Sequence, residues 1–203
     1  MNFGQALLIS LVEAGRWAVL IAFGVLGLGV LWHVFQHEIG SGPAVSRDAR
    51  SWPGALATVV LGVAVPVCVR AGWGSARAWL PLPVAAAFAG VGTLACFISM
   101  NFAAWAALTL GRAAHILARV DQGGKLVREP PFNIVRHPIY FGLGLLFAGS
   151  ALAGLSWSAA LAAVLWWPLA LHRARLEDAV LRRSFGAEFE KYARSVPAVW
   201  PKF

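Results

Sequence analysis

Arg136, His137 and Tyr140 stand immediately before a pair of apolar runs, and Arg173, Glu177 and Asp178 stand immediately after them. An arginine at such a place could grip a carboxylate or phosphate through paired N–H donors. His137 or Glu177 could serve as a base, and Tyr140 offers a ring face plus a hydroxyl. Gly142, two residues on, would let a ligand or another backbone approach closely. A helical hairpin that enters the bilayer and returns would bring both clusters to one face. Ionisable groups gathered at a membrane boundary are a candidate functional site. Alone, the second cluster would read as an interfacial helix with solvated charges.

The elements that must position these residues are membrane helices. Of 203 residues, 59% are hydrophobic and 13% charged, against about 25% charged in soluble domains, and the mean hydropathy is +0.69. Against a hydrocarbon core that takes about 20 helical residues, apolar runs predict five spans. They lie near Trp17 to Phe35, Ala55 to Val69, Leu82 to Leu110, Ile139 to Leu155 and Ser158 to Leu171. Ala153, Gly154, Leu155, Ser156, Trp157 and Ser158 read as a tight turn joining the last two. Met1 to Gly15 lacks a basic n-region and its apolar stretch is interrupted at Glu13 and Arg16, which argues against a cleaved signal peptide. The expected fold is all-α integral membrane, a single domain over 1–203, with a C-terminal amphipathic cytosolic helix.

Basic residues near membrane ends stay cytoplasmic. An N-out, C-in arrangement retains Arg47, Arg50, Arg112, Arg119, Lys125, Arg128, Arg136, Arg173 and the basic tail inside, and leaves only Arg16, Arg70 and Arg77 outside. The net charge of +8 is then explained by anionic lipid headgroups, with no nucleic acid and no obligate protein partner called for. Trp17, Trp32, Trp52, Trp73, Trp79 and Trp157 fall near span ends as an interfacial belt. Trp105, Trp166 and Trp167 lie within spans, where packing or lipid contact is the expected role.

Other signals lead elsewhere or nowhere. Cys68 and Cys96 are isolated in different spans and read as inert thiols, without a zinc or disulfide pattern. His33, His37 and Glu38 have ligand-like spacing, but they fall where the first helix leaves the bilayer and polar groups reach water. No metal site is assigned. Gly24, Gly27 and Gly29 follow no strand, so they are read as small residues for close helix packing rather than a phosphate loop. The loop from Gly111 to Arg136 is too polar and broken to span. Pro138 suits the first turn of a helix, whose start would expose unpaired N–H donors. Leu176, Val180, Leu181, Phe185, Phe189 and Tyr192 recur at helical spacing in the tail.

Arg136-His137-Pro138-Ile139-Tyr140-Phe141-Gly142 resembles the Arg-His-Pro-x-Tyr-x-Gly motif of the isoprenylcysteine carboxyl methyltransferase and phospholipid methyltransferase group. Leu110, Gly111 and Arg112 upstream fit it. So do the downstream acidic pair and Leu181, Phe185, Gly186, Phe189, Tyr192, Val196 and Pro201. The resemblance covers the C-terminal half, about 110–203; the first two helices match only in being hydrophobic. It implies S-adenosylmethionine enclosed by the fourth and fifth helices and the C-terminal segment, without a Rossmann domain, and a lipophilic acceptor arriving from the bilayer. On this chain the cofactor site would comprise Arg136, His137, Tyr140, Gly142, Glu177 and Asp178, with Arg173 and Asp178 catalytic. Asp178 stands where a second glutamate is usual. The acceptor would be an isoprenylcysteine-type carboxylate or a lipid headgroup amine, at the cytosolic side of a bacterial inner membrane. The alternative is an NADPH-dependent membrane reductase of the sterol type, whose related motif commonly has asparagine where Ile139 stands. A third is a non-catalytic lipid-binding protein.

Overall fold

The structure is a computed structural model and describes residues 2–33, 44–47, 52–111, 119–121 and 125–201. The expectations for His37 and Glu38, and for Arg50, Arg112, Gln122, Gly123, Gly124 and Lys202, lie outside those residues. The fold is all-α. Its helices are α1 (Phe3–His33), α2 (Trp52–Ala71), α3 (Leu82–Leu110), α4 (Pro138–Gly154), α5 (Trp157–Phe185) and α6 (Ala187–Ser195). Three of them are long and apolar enough to cross a membrane, through Phe3–Gly29, Trp52–Ala71 and Leu82–Leu110, and α4 is a shorter apolar helix. A small antiparallel pair, β1 (Ala44–Arg47) with β2 (Arg119–Asp121), was not expected from the sequence.

Two further differences from the sequence reading have local causes. Helix α1 begins at Phe3 rather than near Trp17, because Glu13 and Arg16 do not interrupt it. They pair with each other at 3.3 Å, an i, i+3 contact compatible with a continuous helix. Helix α5 does not end near Leu171 but runs through Arg173, Glu177 and Asp178 to Phe185, and the bend falls at Gly186, whose φ of 52° suits glycine.

The chain forms two compact units. The first comprises Met1–Gly29, Val59–Asn101 and Gly142–Trp167. Its helices are held by small residues: Val12, Ala85, Ala86, Ala89 and Leu155 form a buried cluster. A Cβ on Gly92 would lie 2.1 Å from the Ala153 nitrogen, and one on Gly154 would lie 2.5 Å from Val69. Close backbone approach of this kind is how helices associate in lipid. Gly24, Gly27 and Gly29, expected to do this, do not: among the described residues nothing lies within 4 Å of a Cβ built there. Phe147 packs between Phe23 and Trp166, at centroid distances of 5.6 and 5.3 Å, so Trp166 is a core residue. Cys96 is buried against Ser150. Many large apolar residues are left exposed, aliphatic ones such as Ile21, Leu28, Val63 and Val164 and aromatic ones such as Trp17, Trp73 and Phe97, as for a surface that meets lipid. The expected tight turn between α4 and α5 is present. Leu155 there has a φ of 48°, and Trp157 N–H donates to the Gly74 carbonyl at 2.8 Å.

The second unit comprises Val30–Thr58, Phe102–Phe141 and Pro168–Phe203. Phe189, Tyr192 and Val196 are its buried cluster, with Leu126, Leu181, Phe185 and Ala193 against it. The amphipathic tail is thus α5 plus α6 folded back at Gly186. Burial lifts the Tyr192 phenol to about 12, Arg136 and Arg128 notwithstanding. Protonated, it donates to the Phe132 carbonyl at 2.6 Å.

Candidate active site

Every polar side chain of the two sequence clusters meets in the second unit. Pro138 starts α4, and the His137 carbonyl accepts from Tyr140 N–H at 3.1 Å and Phe141 N–H at 3.3 Å. The turn before it is fixed by the tail: Arg136 N–H donates to the Pro197 carbonyl and His137 N–H to the Ala198 carbonyl, both at 2.9 Å. The N–H groups of Arg136, His137 and Tyr140 are thus among the donors already taken at this helix start. On α5, Arg173 and Glu177 share a face at i, i+4 spacing, 3.9 Å apart.

The side chains form one chain of contacts. Arg173 Nε donates to the Tyr140 hydroxyl at 3.0 Å, and that hydroxyl donates to Glu177. His137 lies between the two acids, with Nδ1 3.2 Å from Glu177 Oε2 and Nε2 2.8 Å from Asp178 Oδ1. Arg136 closes the far end, its Nη2 2.6 Å from Asp178 Oδ2 and its Nη1 donating to the Ala193 and Val196 carbonyls. The Tyr140 ring stacks on His137 at 5.6 Å, and the Arg173 guanidinium lies 5.3 Å from its centroid.

Charge follows from this geometry. Burial disfavours a charged His137, but hydrogen bonds and charge from Asp178 and Glu177 overcome that and lift it to about 9. The imidazole is therefore a cation near neutral pH, which removes it as a general base. Burial likewise opposes ionisation of Asp178, yet His137 and Arg136 hold its carboxyl below the ordinary value. Asp178, 13% exposed, is engaged by these two partners, whereas Glu177, engaged by His137 and Tyr140, is 25% exposed.

Two residues that the sequence reading passed over complete the arrangement. Thr58 on α2 accepts from Arg173 Nη1 at 3.4 Å while donating to the Gly54 carbonyl at 2.8 Å. A Cβ on Gly54 would stand 2.8 Å from Arg173 Cγ. One turn of α2 thus forms a notch for the arginine stem, in a helix whose sequence looked merely apolar. Trp200 packs edge-on against Phe141 at 6.0 Å. Gly142 is buried and belongs to the first unit. Among the described residues no group of three His, Cys, Asp or Glu side chains is arranged to hold a metal ion.

Residues 88–188 match the phospholipid methyltransferase family. Protein-S-isoprenylcysteine O-methyltransferase B of Arabidopsis thaliana is 32% identical over 99 residues, 47% of this chain and 50% of the relative. The chain belongs to the isoprenylcysteine carboxyl methyltransferase and phospholipid methyltransferase family. The nickel-cobalt-cadmium resistance protein NccN of Alcaligenes xylosoxydans xylosoxydans is also 32% identical, over 131 residues, 61% of this chain and 54% of that one. The chain spans about half the length of these curated relatives. The family match contains Arg136, His137, Tyr140, Gly142, Arg173, Glu177 and Asp178, but neither the Gly54 and Thr58 notch nor the Pro197 and Ala198 carbonyls. Family membership favours a methyltransferase over the nicotinamide-dependent reductase.

Proposed function

We propose that the protein is an S-adenosylmethionine-dependent methyltransferase that esterifies the carboxylate of a lipophilic, isoprenylcysteine-type acceptor at the membrane surface. The observation that carries this reading is the pairing of a buried arginine, Arg173, with a histidine held as a cation by two acids. A carboxylate acceptor is already ionised near neutral pH and needs a counter-charge rather than a base. Arg173 supplies that counter-charge. An amine acceptor would need a base: His137, protonated up to about pH 9, does not provide one, and Glu177 is held by His137 and Tyr140 and assigned to the cofactor's positive charge.

The residues fit a cationic cofactor. Glu177, partly exposed beside its His137 and Tyr140 contacts, has a carboxylate able to balance an ammonium or sulfonium or to hold ribose hydroxyls, while Asp178, engaged by Arg136 and His137, fixes the turn behind it. When bound, S-adenosylmethionine supplies a methyl group on a sulfonium centre, and its transfer to a carboxylate oxygen leaves a neutral thioether and a neutral ester. This chain's part is alignment and exclusion of water. Tyr140 orients Glu177 and Arg173 through one hydroxyl, and Thr58 holds the guanidinium from the other side.

The test is methyl-labelled S-adenosylmethionine added to membranes carrying the full chain, with a farnesylcysteine analogue and phosphatidylethanolamine offered separately. Base-labile label in the farnesylcysteine fraction is expected, lost in Glu177→Gln and strongly reduced in Arg173→Lys. Label in the amine lipid alone would refute carboxyl transfer. Label in neither, with no binding of the cofactor, would refute methyl transfer.

A further inference from the structure

All the charged side chains of the first unit, Glu13, Arg16, Arg70 and Arg77, lie in or beside the turn between α2 and α3 and the adjoining part of α1. Arg16 Nη1 lies 3.3 Å from Glu13 Oε1, and Arg77 Nη1 reaches the same oxygen at 3.3 Å. Arg16 Nη2 donates to Ser75 Oγ at 3.3 Å. The Arg70 guanidinium sits 4.9 Å above the centre of the Trp17 ring. Arg16 Nε is buried with no hydrogen-bond partner among the described residues. Two cations far apart in sequence, Arg16 and Arg77, therefore share a single carboxylate oxygen, Arg70 stands over Trp17 beside them, and the cluster keeps an excess of two positive charges.

These are also the three arginines that the charge distribution of the sequence left on the outer side, where basic residues are disfavoured. A structural clamp between α1 and the turn would need one arginine for Glu13. Glu13 takes one contact from each of Arg16 and Arg77, and the remaining N–H donors of those two forks, with the Arg70 guanidinium, match the geometry of a phosphate. Trp17, Trp73 and Trp79 surround the place and are exposed, as aromatic residues are at headgroup level. Further along α1 and α2, Ile21, Val25, Val63 and Val67 are exposed, an apolar surface suited to the acyl chains of a phosphate-bearing lipid. We propose that Arg16, Arg70 and Arg77 form a binding site for the phosphodiester of a membrane lipid headgroup, separate from the His137 cluster.

The experiment uses the purified full chain in a non-ionic detergent, with bound lipid counted by native mass spectrometry. The probes are short-chain phosphatidylglycerol, the diacylglycerol that lacks its phosphate, and inorganic phosphate as competitor. Phosphatidylglycerol is expected to bind and diacylglycerol not. Arg70→Gln, which leaves both Glu13 contacts in place, should weaken binding about fivefold, since a basic residue near the lipid surface contributes about 1 kcal/mol and 1.4 kcal/mol is tenfold. Arg16→Gln should do at least as much, Glu13→Gln should tighten binding, and Arg183→Gln should change nothing. A thermal midpoint on each variant guards against misfolding. Equal binding by wild type and Arg70→Gln overturns the proposal. So does a Glu13→Gln variant that loses thermal stability without gaining affinity, the behaviour of a clamp alone. Displacement by equimolar inorganic phosphate would assign the arginines to soluble phosphate and overturn the lipid reading.

Discussion

Replacing Gly54 by alanine adds a single methyl group to α2, and its consequence can be worked out from contact distances. The new Cβ would lie 2.8 Å from Arg173 Cγ and 3.1 Å from Cδ, in the middle of the stem rather than at its free end. Restoring an ordinary separation of 3.4 Å moves the stem by about 0.6 Å, and the guanidinium with it. On stability the effects oppose each other. Overpacking costs about 1–3 kcal/mol, while alanine in place of glycine inside a helix returns about 1 kcal/mol. The net cost is about 2 kcal/mol or less, and the protein should fold. On activity nothing compensates, because a displacement of about 1 Å at a positioning group can cost on the order of 100-fold. The expected Gly54→Ala enzyme has a thermal midpoint within a few degrees of wild type and a methyl-transfer kcat/KM reduced about 10- to 100-fold, with most of the loss in the KM for the acceptor. Thr58→Ala, which removes one hydrogen bond to Arg173, should show the same pattern more weakly. The assay is initial-rate kinetics at saturating cofactor beside thermal unfolding in detergent. Unchanged kinetics in Gly54→Ala would refute the notch as the element that sets Arg173.

His137 gives a pH signature. Its pKa rises from 6.5 to about 9 on folding, so its contribution to stability is fully present below pH 6.5, declines above that, and is gone once the pH has passed 9. The depressed carboxyl of Asp178 works the other way, contributing above its ordinary value of 3.8 and losing that contribution as the pH falls through the lowered one. Thermal midpoints should therefore fall between pH 6.5 and 9.5 in wild type and fall much less in His137→Gln. In the first unit, Gly92→Ala should destabilise by about 3 kcal/mol or prevent folding, since its Cβ would meet the Ala153 backbone nitrogen at 2.1 Å. Gly24→Ala, inside α1 and facing open space, should raise stability by about 1 kcal/mol in the same unfolding measurement.

The parts of the site that could be read from the sequence are those with a charge or a ring in an apolar setting. Arg136, His137, Tyr140, Arg173, Glu177 and Asp178 stood out because polar groups beside membrane spans are conspicuous, and the turn at Gly154 and Leu155 made their convergence expected. Gly54 and Thr58 gave no such signal. Glycine and threonine are ordinary in an apolar helix, and what makes them matter is the arginine that arrives from α5, a tertiary fact. The Pro197 and Ala198 carbonyls are backbone, which no residue type announces. Glu13 and Arg16 were misleading for the opposite reason: each looks like the end of a span until its partner is seen. Among the glycines, composition could not separate Gly92 and Gly154, which meet neighbouring helices, from Gly24 and Gly27, which meet nothing.

The hydrogen bonds from Arg136 and His137 to the Pro197 and Ala198 carbonyls also set an order of assembly. While the chain is being made, helices α1 to α5 can be formed before residues 197 and 198 have left the ribosome, yet the backbone N–H groups of Arg136 and His137 gain these carbonyl partners only when they do. Until residues 197 and 198 emerge, the helices can be anchored while the turn that carries the imidazole lacks its two carbonyl partners.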